Sequence, residues 1–273
     1  MHSLSLRTAD RDKDLLVMEL WDRGTTGVLE TELPGNVWEL RAFFDEPFDA
    51  SSLSCAFAEP PPAWRDEGSP DWETGWQRAW EPLPVGRRLL LLPAWMKPPP
   101  GHPDRLIVLV HPGQASGSGY HAPTQLALLA LETYLQEDDS VLDVGAGTGI
   151  LLAAAAALGA RTLFGCEIDR SAAAIAQANL AAEGIPAHIW TGSPRSLAPR
   201  SVSLIAANLN GVTLDLLLPE FARVLRPGGR IILSGFTERW RTRLAAEYAG
   251  AGFQLLDRLE QERWRALVFS SAP

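Results

Sequence analysis

The sequence predicts an α/β protein, with a doubly wound sheet closed by an antiparallel hairpin and a small α+β domain in front of it. Three observations carry this expectation. From about Ser140 onward strand and helix signals alternate as a doubly wound domain requires. Val141-Leu-Asp-Val-Gly-Ala-Gly-Thr-Gly-Ile150 joins an apolar strand to a glycine-rich turn and then to the helix-forming run Leu151 to Leu158. The last two strand signals are separated only by Gln261-Glu-Arg263, too short for a parallel crossover, so they must pair as a hairpin.

In chain order, the first 66 or so residues show short strand-like pieces, Leu15–Trp21 and Asn36–Phe44, between Gly, Pro and acidic breaks, which reads as a small domain over residues 1–66. Glu59-Pro60-Pro61-Pro62 is expected to break the chain. Trp72, Trp76 and Trp80 follow at i, i+4 and i+8, the spacing of one helical face, so residues 67–93 read as a linker helix region packed by its aromatic stripe. Residues 94–273 read as the main domain, with Lys97-Pro98-Pro99-Pro100-Gly101 as a surface loop and a helix from Gln125 to Gln136. The expected strands are Ser140–Val144, Thr162–Glu167, Ala187–Thr191, Val202–Ala207, Arg230–Gly235, Gln254–Glu260 and Trp264–Ser270. Between them lie helices at Ile150–Leu158, Ser171–Glu183, Val212–Leu225 and Thr237–Ala251, with Gly184 and Pro227-Gly228-Gly229 as helix stops.

Composition sets the outer bounds. At 273 residues and 46% hydrophobic content the chain can bury one large core or two smaller ones. A formal charge of −9 disfavours a protein that grips nucleic acid by broad phosphate neutralisation, and is compatible with a cationic protein substrate. Cys55 and Cys166 are too few and too far apart for a disulfide framework or a zinc cage, so two free thiols and no metal site are expected. No run approaches the roughly 20 apolar residues of a membrane span, and Met1 to Leu20 is charged rather than signal-like, which points to a cytoplasmic protein without membrane partners.

The glycine-rich turn carries the chemistry. Its glycines fall at 145, 147 and 149, whereas the dinucleotide fingerprint needs one at position 150, which is Ile. Asp143 sits two residues before the first glycine. A carboxylate there would repel a diphosphate pressed against the helix N-terminus, so a cofactor with no phosphate and a cationic end fits better.

The D-x-G-x-G-x-G pattern resembles motif I of class I S-adenosylmethionine (AdoMet)-dependent methyltransferases, whose fold is a seven-stranded Rossmann-like sheet with a C-terminal antiparallel hairpin. The resemblance implies that the loop Gly145, Ala146, Gly147, Thr148 and Gly149 runs beside the methionine moiety and that Asp143 helps to position it. It also implies a second acid at the end of the next strand to accept from the ribose hydroxyls. Glu167, about 20 residues past the loop, supplies it. Ile168 beside it joins the expected cofactor contacts, Ser193 is expected beside adenine, and Asp169 is the weaker ribose candidate.

The segment His111-Pro-Gly-Gln-Ala-Ser-Gly-Ser-Gly-Tyr-His-Ala-Pro-Thr124 resembles the P-G-x-x-F-G-T-G-x-H-x-T-T motif of PrmA-type methyltransferases, which modify ribosomal large-subunit protein eleven. Pro112, Gly113, Gly117, Ser118 for threonine, Gly119, His121 and Thr124 match, while Ser116 replaces the phenylalanine and Pro123 a threonine. The resemblance implies that Ser118 and Gly119 contact the methionyl end; Tyr120 could supply part of the lost aromatic surface. His121 reads either as a supporting hydrogen-bonding residue or as a base. Ile205-Ala-Ala-Asn-Leu-Asn210 resembles the family's strand-four motif, in which the asparagine borders the methyl-transfer site. Asn208 is therefore the candidate catalytic residue and cofactor contact, although it also fits a helix cap; Asn210 is the better cap. The resemblance implies transfer of a methyl group from AdoMet to amino groups of a protein, most directly a ribosomal one. Another protein or a small molecule is the alternative acceptor, a catalytically silent AdoMet-binding protein is a reading of a different class, and a nicotinamide oxidoreductase is the most distant.

Overall fold

A computed structural model describes residues 2–53, 58–66, 80–111 and 119–272. The chain forms two compact units, Met1–Trp80 and Glu81–Pro273. Cys55, Trp72 and Trp76 lie outside the described residues.

The first unit is a four-stranded antiparallel sheet in the order β2-β3-β1-β4, formed by β1 (His2–Ala9), β2 (Gly27–Leu33), β3 (Val37–Phe44) and β4 (Ala58–Asp66). Helix α1 (Asp10–Asp22) packs on one face through Leu16 and Leu20, both fully buried against Leu4, Leu6, Leu40 and Phe44. Two expectations are corrected here. Leu15–Trp21 belongs to α1 rather than to a strand, because Leu16 and Leu20 recur at helical spacing while Asp10 and Asp12 favour the helix N-terminus. Pro60-Pro61-Pro62 continues strand β4 instead of breaking the chain; β4 is an edge strand, where a missing N–H is tolerated, and its pairing with β1 shifts register between Ser5 and Arg7.

The second unit opens with a three-stranded sheet of β5 (Leu83–Val85), β6 (Leu89–Pro93) and β7 (Leu106–Val110), order β5-β6-β7, with β6 and β7 parallel. Helix α2 (Ala122–Tyr134) begins three residues earlier than the sequence suggested, because Pro123 in its first turn needs no N–H partner there. The main sheet is the expected seven-stranded one. Its strands are β8 (Ser140–Val144), β9 (Thr162–Glu167), β10 (His188–Thr191), β11 (Val202–Asn208), β12 (Leu225–Thr237), β13 (Phe253–Gln261) and β14 (Trp264–Ser271), in the order β10-β9-β8-β11-β12-β14-β13. The first five run parallel and β14 lies antiparallel between β12 and β13, as the short turn between the last two strands requires.

The crossover helices are α3 (Ile150–Ala157), α4 (Arg170–Ala182), α5 (Gly211–Val224) and α6 (Glu238–Gly250). Leu214 and Phe221 of α5 and Leu244 and Tyr248 of α6 are buried against Val144, Ile205, Ile231, Leu233 and Phe269. Alternate strand residues such as Val141, Ala206 and Ile232 are equally buried on the other face, where α2 and α3 pack. Pro227-Gly228-Gly229 is not the cap of α5. Leu225 is already extended and pairs with Val202, so the helix ends at Val224 and the Pro-Gly-Gly segment opens β12.

One buried ion pair pins the end of the sheet opposite the glycine loop. Arg230 Nη2 donates to both carboxylate oxygens of Asp139 at 2.8 and 3.1 Å, and its Nη1 donates to the carbonyl of Tyr134, the last residue of α2, at 2.6 Å. Asp139 also accepts from Ser203 Oγ at 2.7 Å and from the Gln136 N–H at 2.8 Å. Removing one partner of such a pair leaves the other charged and buried, so Asp139→Ala should cost about 3–5 kcal/mol. Urea unfolding is the measurement, and a loss within about 1 kcal/mol, the worth of an exposed pair, would contradict it.

Candidate active site

β8 ends at Val144 and the chain turns through Gly145-Ala-Gly-Thr-Gly149 into α3. Gly145 has φ 83, and a Cβ there would lie 2.7 Å from Leu209 Cδ2, so a side chain is excluded by both conformation and space. The N–H groups of Gly145 and Ala146 donate to the carbonyl of Cys166 in β9, at 2.9 and 3.2 Å. This fixes the turn beside the end of the neighbouring strand. Gly149 occupies the N-cap position of α3, so no side chain caps the first-turn N–H groups of that helix. Ala146 and Thr148 are buried. Gly119 approaches the same loop, since a Cβ on it would lie 2.7 Å from Ile150 Cδ1 at the start of α3. Ser118 lies outside the described residues, as do Pro112, Gly113, Ser116 and Gly117.

The two acids stand in different surroundings. Glu167, the last residue of β9, accepts from the Gly147 N–H at 3.1 Å through Oε2 and from the Asp169 N–H at 3.2 Å through Oε1. Asp169 instead caps α4, accepting from the N–H groups of Ser171 and Ala172. Asp143 is 1% exposed, and neither of its oxygens has a hydrogen-bond partner among the described residues. Burial pushes its carboxyl well above the usual carboxylate range, and the nearby Glu167 charge adds to that. Burial likewise pushes the Cys166 thiol up to about 12, with Asp143 contributing, so this cysteine is an inert core thiol. Ile168 is 84% exposed, a large apolar side chain on the surface next to Glu167. Ser193 follows β10 and its Oγ accepts from the Arg195 N–H at 3.4 Å, while Gly192 N–H donates to the Glu167 carbonyl at 2.8 Å and ties that turn to β9.

Asn208 ends β11, beside Ser234 of β12. Its amide is held from both ends: Ser234 Oγ donates to Oδ1 at 3.1 Å, and Nδ2 donates to Thr124 Oγ1 at 3.2 Å. Ser234 and Thr124 are both buried. Gly235 permits this arrangement, because with φ 89 a Cβ there would sit 2.6 Å from the Leu209 carbonyl and 2.8 Å from Asn208 Oδ1. Asn210 caps α5 by accepting from the Thr213 N–H at 3.0 Å, which leaves Asn208 free of capping duty. Tyr120 donates its hydroxyl to the Glu81 carbonyl, and its own carbonyl accepts from Gln125 Nε2 at 2.9 Å. His121 is exposed and its side chain makes no capping bond to α2.

The geometry thus gathers the glycine loop, Gly119, Asp143, Glu167 and Asn208 at the C-terminal edge of the parallel strands, the usual ligand crevice of an open α/β sheet. The roles of Ser234 and Gly235 were not visible in the sequence. Ser234 lies 26 residues from Asn208, and only the parallel register of β11 with β12 brings them together. Thr124 was marked by its motif, but its bond to Asn208 spans 84 residues and carries no local signal.

The isolated Asp143 carboxyl gives a pH signature. Its folded value lies above the unfolded one, so the stability it contributes is fully present below about pH 4, the ordinary Asp value. That stability is lost as pH rises toward the raised folded value. Asp143→Asn should remove this slope in the ligand-free protein, with the variant gaining on wild type as pH rises. Thermal melts from pH 4 to 9 measure it; parallel curves for the two proteins would refute the assignment.

The chain is similar to known proteins over most of its length. The family model described as ribosomal protein L11 methyltransferase (PrmA) matches residues 36–272. A ribosomal protein L11 methyltransferase of Prochlorococcus marinus (strain MIT 9313) is 31% identical, across 98% of this chain and 96% of its own length. One from Synechococcus sp. (strain RCC307) is 35% identical across 77% of this chain and 71% of its own. Among solved structures, the ribosomal protein L11 methylase of Lactobacillus delbrueckii subsp. bulgaricus superimposes with a TM-score of 0.66 at 29% identity, covering 71% of this chain and 100% of that one. With the site geometry and a match over most of its length in agreement, this chain belongs to the ribosomal protein L11 methyltransferase (PrmA) family.

Proposed function

We propose that this protein transfers methyl groups from AdoMet to amino groups of ribosomal protein L11. The observation that carries the acceptor is the family match, which runs through residues 36–272 and so includes part of the N-terminal unit as well as the whole methyltransferase sheet.

The fit of the donor rests on Asp143. A fully buried carboxyl without a partner is costly unless it is protonated or meets a cation. AdoMet carries two cationic centres, its amino group and its sulfonium, and no phosphate. In this reading Asp143 favours the cationic methionyl end, Gly145 to Gly149 give the backbone close approach, and Glu167 accepts from the ribose hydroxyls. Glu167 has lone pairs to spare beyond the two backbone N–H groups it already holds. Ser118, Gly119, Ile168 and Ser193 complete the proposed cofactor contacts, Ile168 and Ser193 on the adenine side.

When bound, AdoMet supplies a methyl carbon activated by an adjacent sulfonium. The protein must hold a neutral amine in line with it, and positioning of this kind supplies roughly 7–11 kcal/mol. Asn208 suits that task. Its amide orientation is fixed by Ser234 and Thr124, and one N–H and one oxygen lone pair remain to orient an incoming amine. An uncharged amide also avoids the penalty of a carboxylate, which would hold the amine in its protonated, unreactive form. A lysine amine, which in water ordinarily titrates near pH ~10.4, must lose its proton before attack, and transfer into an apolar crevice favours that loss.

Incubation of the full chain with radiolabelled AdoMet should label purified ribosomal protein L11. Label appearing only in another component of a parallel lysate would move the acceptor elsewhere. Glu167→Ala should weaken AdoMet binding by about 1–3 kcal/mol, the scale of an unmet polar partner. Unchanged calorimetric affinity would remove Glu167 from the cofactor site.

A further inference from the structure

One face of α4 lies against the glycine loop. Gly149 rests against this face: a Cβ on it would lie 3.2 Å from Leu180 Cδ1 and 3.4 Å from the Ala176 carbonyl. Asn179, next to Leu180, donates from Nδ2 to the Thr148 carbonyl at 2.9 Å. Four residues on, Glu183 at the C-cap of α4 meets His111, with 2.9 Å between Oε1 and Nε2. Residues 176, 179, 180 and 183 share one face by helical spacing. His111 follows directly on β7, so the pair ties the end of that strand to α4, 72 residues away in sequence.

Both members of the pair are largely withdrawn from water, with side-chain exposures of 25% for His111 and 11% for Glu183. They line a small void with Leu109, Thr148, Gly149, Ile150, Ala153 and Leu180, among which no other side chain titrates. Burial raises the Glu183 carboxyl and the hydrogen bond to His111 opposes that rise. A carboxylate at a helix C-terminus is also disfavoured by the helix dipole, so Glu183 depends on His111 for its partner. The two walls the pair joins are those that bracket Thr148 and Gly149.

We infer that His111, Glu183 and Asn179 form a clamp through which α4 and β7 set the position of the glycine loop, making the three side chains positioning residues for cofactor binding. The inference rests on the AdoMet reading given above. A loop whose carbonyl and C-terminal glycine are held in one place presents its backbone to the cofactor without further ordering at the moment of binding. Loss of the clamp therefore acts on affinity for the cofactor and leaves the methyl-transfer geometry at Asn208 intact. A purely structural pair would behave differently, lowering the melting temperature and the active fraction while leaving the cofactor KM unchanged.

The test uses the full chain, with AdoMet as probe and ribosomal protein L11 as acceptor. His111→Leu and Glu183→Leu should each raise the AdoMet Kd and KM about tenfold, the effect of one lost hydrogen bond to a charged group. The same variants should change kcat by less than roughly twofold, because uniform binding rather than transition-state contact is lost. Glu183→Gln retains the acceptor oxygen and should stay near wild type. The double Leu variant should be no weaker than either single one, since both remove the same interaction. The double variant also carries no unpaired buried charge, so it keeps the measurement possible should a single variant unfold. Asn179→Ala should raise the Kd independently and add to the effect of the pair. Unchanged AdoMet affinity in the folded Leu variants, or a Gln variant as weak as the Leu variant, overturns the clamp. Failure of the wild-type protein to bind AdoMet at all would instead overturn the cofactor reading.

Discussion

The parallel register of three central strands is the constraint on which the site depends. Val144 of β8 lies opposite Cys166 of β9 on one side and Ala207 of β11 on the other, so the three strands end together. The next residue of each strand is therefore delivered to one edge: the glycine loop begins after Val144, while Glu167 and Asn208 are the last residues of β9 and β11. A shift of one residue in any of these strands would turn its terminal side chain to the opposite face. The register is protected by burial on both faces, because a slipped strand would have to carry its polar terminus into the core.

The electrostatics of the edge follow from that convergence. Two carboxyl groups arrive near one another, and only Glu167 finds backbone donors. Asp143 is left in the core with its proton held more tightly, an arrangement that disfavours anions and rewards a cation. The N-cap glycine leaves the first-turn N–H groups of α3 without a side-chain cap, a feature that by itself suits phosphate. In the proposed AdoMet reading, an anion brought there would hold the Asp143 proton more tightly still, whereas a cation would favour its ionised form. One buried residue in front of a turn that both kinds of site share thus favours the cationic ligand in that reading.

The N-terminal unit has a core of its own. Leu4, Leu16, Leu20 and Leu40 are fully buried within it, and Phe44, Phe48 and Trp64 form an edge-to-face cluster with centroids 5.0 to 5.5 Å apart. Its edge strand carries three consecutive prolines and so presents few donors to a further strand. Its opposite sheet face bears Arg7, Arg41 and Arg65 with Glu39 between them, beside the apolar Leu29 and Phe43.

Much of this architecture is legible in the residues themselves. Alternating strand and helix periods, a glycine turn with an acid in front, a second acid at the end of the next strand and a turn too short to cross over determine the seven-stranded sheet and its hairpin. These are local signals, readable because each concerns residues close in sequence whose periodicity or conformational freedom is their own property. The segments that depart from their local signal are those where context overrides it. The prolines of β4 are acceptable only because the strand lies at an edge, and the Pro-Gly-Gly run joins β12 only because Leu225 has a partner in Val202. Tertiary structure alone decided the partners of the site: Ser234 and Thr124 on Asn208, Asn179 on Thr148, and His111 on Glu183. Each of those bonds joins residues 26 or more positions apart, and hydrogen bonding at such range depends on how layers stack rather than on any pattern along the chain. The sequence therefore determined what kind of site this is, and the packing of strand ends and helix faces decided which side chains hold it in place.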